Sequence, residues 1–204
     1  MLELDSCMET AKSAAMLAGE FLKSNQREDL KILLNQGRDI KLQLDIDTEE
    51  IIKEHISFHS SFSILGEETG LSNKLGDFYW VIDPLDGTTN FIHGLPVFAV
   101  SIGLMEQEEV VLGVVYEVNR KECFYAYKGG GAFCNGVAIQ VSKAPNLTAS
   151  LIATGFPYYQ FDLIDRYMAI MKSLMQKTHG LRRLGSAAVD LCYVAAGRSE
   201  GYFE

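Results

Sequence analysis

Tyr79, Trp80, Val81 and Ile82 form a short apolar run, and Asp83-Pro84-Leu85-Asp86-Gly87-Thr88-Thr89-Asn90 follows it directly. No other stretch constrains the chain as much. The run reads as a buried strand that stops at a carboxylate. Proline donates no backbone hydrogen bond, so the ladder is expected to end at Pro84. Gly87 permits close backbone approach, and two hydroxyls with Asn90 have the composition of a helix start. Two carboxylates beside a helix N-terminus can hold hard cations, and the helix offers unpaired N–H donors to an anion. Alone, Asp-Pro-x-Asp-Gly is more often a turn former than a metal site. Gly66-Glu67-Glu68, at the end of a separate predicted strand over residues 62–65, adds a carboxylate and favours a site.

The rest of the chain changes period twice. Residues 4–24 suit an amphipathic helix, with Leu4, Met8, Ala11, Ala15, Ala18 and Phe21 or Leu22 at helical spacing. Residues 25–37 are polar and undecided. A second helix is expected over about 47–57, with Ile51, Ile52 and Ile56 on its buried side. Residues 98–105, 110–116 and 123–127 are apolar or β-branched runs between charged turns, so they read as strands. The glycine-rich stretch 127–136 lacks Gly-Lys-Ser/Thr and opens no helix, so it reads as a hairpin rather than a phosphate loop. From Ser150 the pattern is a strand over 150–154, a helix over 162–177 and a helix over 186–196 that ends at Gly197. A linker-like Ser-Lys-Ala-Pro-Asn divides an N-terminal α+β domain, 1–145, from a partial α/β domain, 146–204.

Composition excludes several partners. Asp and Glu number 27 against 18 Lys and Arg, a net charge of -9, which repels nucleic acid backbones and anionic membranes. Four scattered cysteines form no Cys-x-x-Cys or Cys/His cluster and read as small buried hydrophobes in a reducing cytoplasm. Residues 1–6 have no basic and apolar leader pattern, and no apolar run approaches the roughly 20 residues that span a bilayer. The expected location is cytoplasmic. Arg182 and Arg183 are candidates for steering a phosphate or pinning an interface, with a solvated or salt-bridged pair an equal reading. His55, His59, His93 and His179 receive no role.

Gly66-Glu67-Glu68 and Asp83 to Asn90 resemble the two leading signatures of the inositol monophosphatase family. The likeness continues through Phe98-Ala99-Val100-Ser101-Ile102-Gly103, Gly131-Ala132-Phe133-Cys134-Asn135-Gly136 and Gly185-Ser186-Ala187-Ala188. It implies an α+β fold, a layered α/β/α/β/α sandwich with the second domain incomplete, and a homodimer. The implied activity is Mg2+-dependent, lithium-sensitive hydrolysis of inositol monophosphate, or a similar small sugar or alcohol phosphate, by direct attack of a metal-bound water. By position, Glu67, Asp83, Asp86 and the Leu85 carbonyl would be metal ligands. Thr88, paired with Asp45 (Asp47 is the rival), would activate the water together with Glu67. Gly87 and Thr88 amides would hold the phosphate, and Gly185, Ser186, Ala187 and Glu204 would line the alcohol pocket.

The family's next signature, a Trp-Asp pair a few residues past the position of Glu204, supplies a further metal ligand, and the sequence stops at Glu204. A chain truncated there is expected to have little or no phosphatase activity. Other substrates within the resemblance are fructose 1,6-bisphosphate, 3′-phosphoadenosine 5′-phosphate and histidinol phosphate. A further alternative is a non-catalytic regulatory binding protein on the same fold, as some bacterial members are with transcription machinery. Haloacid-dehalogenase-type phosphatases place their two motif carboxylates at i and i+2, whereas Asp83 and Asp86 stand at i and i+3, so that class is disfavoured.

Overall fold

The computed structural model describes residues 4–26, 32–36, 39–157 and 161–204. Met1, Leu2 and Glu3, part of the stretch read as lacking a leader, lie outside the described residues, as do 27–31 and 37 within the undecided segment. The chain divides into two compact units, Met1–Ala138 and Ile139–Glu204.

In the first unit α1 (Leu4–Asn25) buries Met8, Ala11, Ala14, Ala15, Ala18 and Leu22 on one face. The alanines let the helix lie close on the sheet beneath it, where a Cβ on Gly19 would collide with the Tyr116 ring. A hairpin of β1 (Ile32–Gln36) and β2 (Asp39–Leu42) leads into α2 (Gln43–His59), which packs on α1. α2 starts four residues before its expected position. The Asp45 carboxylate accepts the Leu42 backbone N–H at 2.9 Å, satisfying a donor that an earlier helix start would otherwise strand.

An eight-stranded sheet fills the remainder of this unit. Its members are β3 (Ser63–Gly66), β4 (Gly70–Leu71), β5 (Phe78–Asp86), β6 (Ala99–Glu106), β7 (Glu109–Glu117), β8 (Glu122–Tyr127), β9 (Gly131–Cys134) and β10 (Val137–Ala138). Their spatial order is β10-β9-β8-β7-β6-β5-β3-β4. All neighbours are antiparallel except β3 and β5, which run parallel, with Gly66 level with Ile82. The glycine-rich stretch is a hairpin, as expected. Trp80 is fully buried and its indole N–H donates to Ser60 Oγ at 3.2 Å.

Pro84 does not end the ladder, contrary to the sequence expectation. β5 runs on to Asp86, because the register with β6 slips between Asp83, opposite Ser101, and Asp86, opposite Ala99. Three steps on β5 match two on β6. This bulge is the place in a sheet where a residue without an N–H is tolerated. One turn of helix, α3 (Thr88–Ile92), follows.

The second unit holds a parallel three-stranded sheet, with β11 (Leu151–Thr154) between β12 (Gly180–Arg182) and β13 (Gly201–Phe203). α4 (Ile164–Lys177) contacts β12 and α5 (Ala187–Ala195) contacts β13. Ser186 caps α5 by accepting the Val189 N–H at 3.3 Å, and Gly197, with φ +69°, follows its end. β12 and β13 are too short and too interrupted by glycine and charge to show in the sequence pattern. With helices and both parallel and antiparallel strands the fold is α+β, as expected. Among the described residues no helix is long and apolar enough to cross a membrane.

Candidate metal and phosphate site

Parallel pairing of β3 and β5 brings their C-terminal ends to one edge of the sheet, so Glu67 and Asp83 become neighbours although they stand sixteen positions apart in the sequence. The Glu67 backbone N–H donates to the Ile82 carbonyl at 3.0 Å, extending the β3–β5 ladder by one residue. The Glu67 carboxyl and the charge of Asp86 both act on Asp83. Burial, then the charges of Glu67 and Asp86, push the Asp83 carboxyl up to about 9, opposed weakly by the Leu85 N–H. That N–H donates to Asp83 Oδ1 at 3.1 Å and closes an Asx turn across Pro84.

The loop beyond is shaped by one glycine. Gly87 has φ +101° and ψ +33°, a left-handed conformation that L-residues adopt only with strain, and it directly precedes α3. Its carbonyl accepts the Phe91 N–H at 3.0 Å. Thr88 Oγ donates to the Leu85 carbonyl at 3.1 Å. Buried Asn90 donates its side-chain amide to the Val97 carbonyl at 2.7 Å, tying the far end of the turn to the strand that follows.

Among the described residues no group of three or more His, Cys, Asp or Glu side chains is already gathered closely enough to cage a metal ion. The chemistry of the donors nonetheless fits one. Burial, and then the like charges of Glu67 and Asp86, raise the Asp83 carboxyl well above the usual carboxylate range, and a hard cation relieves both penalties. Glu67, Asp86 and the Leu85 carbonyl supply further oxygens of the type Mg2+ prefers. A carbonyl carries two lone pairs, so Leu85 can bind a cation while it accepts from Thr88.

Of the two candidates for the water-activating acid, Asp45 is buried in the first turn of α2, while Asp47 is exposed and accepts from Gln43 Nε2 at 2.8 Å. The residues expected at the alcohol pocket lie in the second unit. Gly185 is left-handed at φ +89°, Ser186 is buried as the α5 cap and Ala187 opens that helix. Glu204 is exposed, and its Oε2 accepts from the Tyr202 hydroxyl at 2.5 Å. Arg182 donates to the Leu181 carbonyl at 2.9 Å, and Arg183 stacks on Phe156 at 5.4 Å.

Glu49 is the site residue that sequence reasoning missed. The sequence reading gives it no role, yet it is fully buried and bonds the turn that carries Glu67. The signal was present: an acid three residues before Ile52, on the face that α2 buries, with Lys53 one helical turn away.

Comparison with known proteins gives the family and the fold. The pattern of the inositol monophosphatase family matches residues 3–204. A protein of Pasteurella multocida named Nus factor SuhB is 42% identical over 205 residues, covering 98% of this chain and 77% of that protein. An Aquifex aeolicus protein named fructose-1,6-bisphosphatase/inositol-1-monophosphatase is 38% identical over 207 residues, covering 100% of this chain and 78% of its own length. The crystal structure of extragenic suppressor protein SuhB from Bartonella henselae superimposes with a TM-score of 0.91 at 38% identity, over 96% of this chain and 77% of that one. Strand-end carboxylates, a left-handed glycine turn and a family pattern running almost end to end coincide, and the chain belongs to the inositol monophosphatase family.

Proposed function

We propose that the chain acts as a Mg2+-dependent phosphomonoesterase on inositol monophosphate or a similar small sugar or alcohol phosphate. The observation that carries this reading is the Glu67–Asp83 pair, two carboxyl groups that parallel strands bring together at one sheet edge. Glu67, Asp83, Asp86 and the Leu85 carbonyl would hold Mg2+, which when bound neutralises phosphate charge and acidifies water. Thr88, whose hydroxyl hydrogen is given to Leu85, keeps its oxygen lone pairs to accept a hydrogen bond from the attacking water. Asp45, buried at the start of α2, would take up the proton. The Gly87 turn would let backbone N–H groups approach the phosphate closely, and Gly185, Ser186, Ala187 and Glu204 would meet the alcohol. A cytoplasmic homodimer is the assembly this reading expects.

The test is a phosphomonoester panel (inositol 1-phosphate, fructose 1,6-bisphosphate, 3′-phosphoadenosine 5′-phosphate) assayed with Mg2+, with and without Li+. Mg2+-dependent, Li+-inhibited turnover that ranks inositol 1-phosphate first supports the reading. Equal turnover of all three removes the substrate assignment, and absence of both turnover and Mg2+ binding removes the enzyme.

A second reading, a binding role with no chemistry, is favoured by the Nus factor name of the Pasteurella relative. Asp86→Asn separates the two in cells. Retention of the cellular role with turnover abolished supports binding, and joint loss supports catalysis.

A further inference from the structure

We propose that Glu49 is a positioning residue that fixes where Glu67 presents its carboxylate. The proposal rests on the metal-site reading of Glu67 and extends it to a side chain on a different element. Glu49 sits on α2 and is 0% exposed. Its Oε2 accepts the Glu68 backbone N–H at 2.8 Å, and its Oε1 accepts the Thr69 N–H at 3.2 Å and the Thr69 hydroxyl. Lys53 Nζ lies 3.4 Å from Oε1 and donates to Thr69 Oγ at 2.5 Å, closing a small polar network. The carboxylate also rests directly on Gly66, where any Cβ would occupy its place.

These contacts fall on the residue before Glu67 and on the two after it. From the opposite side the Glu67 N–H is held by the Ile82 carbonyl at 3.0 Å. The turn is therefore clasped between α2 and β5 with Glu67 at its centre. A buried carboxylate is costly unless charge-assisted hydrogen bonds satisfy it. β3 already has ladder partners in β4 and β5, so the Glu49 bonds add nothing to the sheet and constrain only the turn. Glu67 itself is exposed, and a fixed backbone is what keeps an exposed side chain aimed at one place.

The test substitution is Glu49→Gln in the full chain. Glutamine keeps the volume, but it has one acceptor oxygen, and its NH2 faces the N–H donors of the turn. Three readouts are taken. Amide exchange at Glu68 and Thr69 is expected to accelerate at least about tenfold, while amides in the β6–β7 ladder stay protected. Side-chain 13C relaxation of Glu67 is expected to report greater mobility in the metal-free protein. Mn2+ affinity by calorimetry is expected to fall about 10–100-fold, the usual effect of losing a residue that orients a ligand. In a Glu67→Gln background, Glu49→Gln is expected to cost no further Mn2+ affinity, whereas a merely structural role predicts additive losses. Thr69→Val, which keeps the acidic residue, is expected to shift Mn2+ affinity in the same direction by a smaller factor.

Unchanged Glu67 relaxation in Glu49→Gln overturns the proposal whatever the metal does, and so do fully additive losses. If the wild-type protein binds no Mn2+, the metal-site reading fails by itself. The positioning role is then decided by relaxation and exchange alone.

Discussion

Asp83 holds a proton that an isolated aspartate would have lost, and the sign of the consequence is fixed. Its carboxyl is pushed from 3.8 up to about 9, so between those values the folded state binds a proton that the unfolded chain does not. Stability of the metal-free protein is therefore expected to fall as pH rises through this window. Asp83→Asn should flatten that slope in urea melts taken between pH 5 and 9. An unchanged slope would place the titrating group elsewhere. Mg2+ competes with the same proton, so binding near neutral pH is expected to release protons, seen in calorimetry as a heat that varies with buffer. Asp45 and Asp47 separate at this scale too. If buried Asp45 takes the proton from water, Asp45→Asn is expected to lower kcat by about 100-fold or more. Exposed Asp47→Asn is expected to leave kcat within about twofold, and the reverse order would exchange their roles.

At the scale of elements, legibility followed pattern length. The helix over 4–24 and the strands over 98–127 were readable, because long amphipathic and apolar runs repeat their period several times. β12 and β13 have three residues each, less than two full strand periods, and escaped. The candidate site was legible as residue types, since strand-end carboxylates with Gly and Thr after proline are rare by chance. Their assembly was not. Nothing local to residues 63–66 or 78–86 says that β3 and β5 run parallel, and that pairing alone brings Glu67 to Asp83. Pro84 misled for a related reason: a bulge depends on the partner strand β6, which the sequence of β5 does not contain. Gly87 is the element-scale hinge of the site. Alanine there must adopt φ near +101° or rebuild the turn, so Gly87→Ala is expected to cost about 1–3 kcal/mol in denaturant melts. The loss of turnover should exceed the loss of folded protein, because the displaced turn carries Thr88.

For the whole molecule, the acidic balance and the metal site make opposite demands that one experiment separates. A net charge of -9 means that any added salt screens self-repulsion and stabilises the fold somewhat. A specific cation does more, because it binds the native state and not the unfolded one. At a free Mg2+ concentration 100 times its dissociation constant, the gain is expected to be about 2.7 kcal/mol. Matched ionic strength in NaCl reproduces the screening part only. Glu67, Asp83 and Asp86 all lie within Met1–Ala138, so the added hydrogen-exchange protection is expected first at residues 66–69 and 83–88 of that unit. A Glu67→Gln, Asp83→Asn double variant should keep the NaCl response and lose the Mg2+ increment. Were NaCl to stabilise the wild-type protein as much as Mg2+ at equal ionic strength, the carboxylates would be no more than part of a diffuse acidic surface.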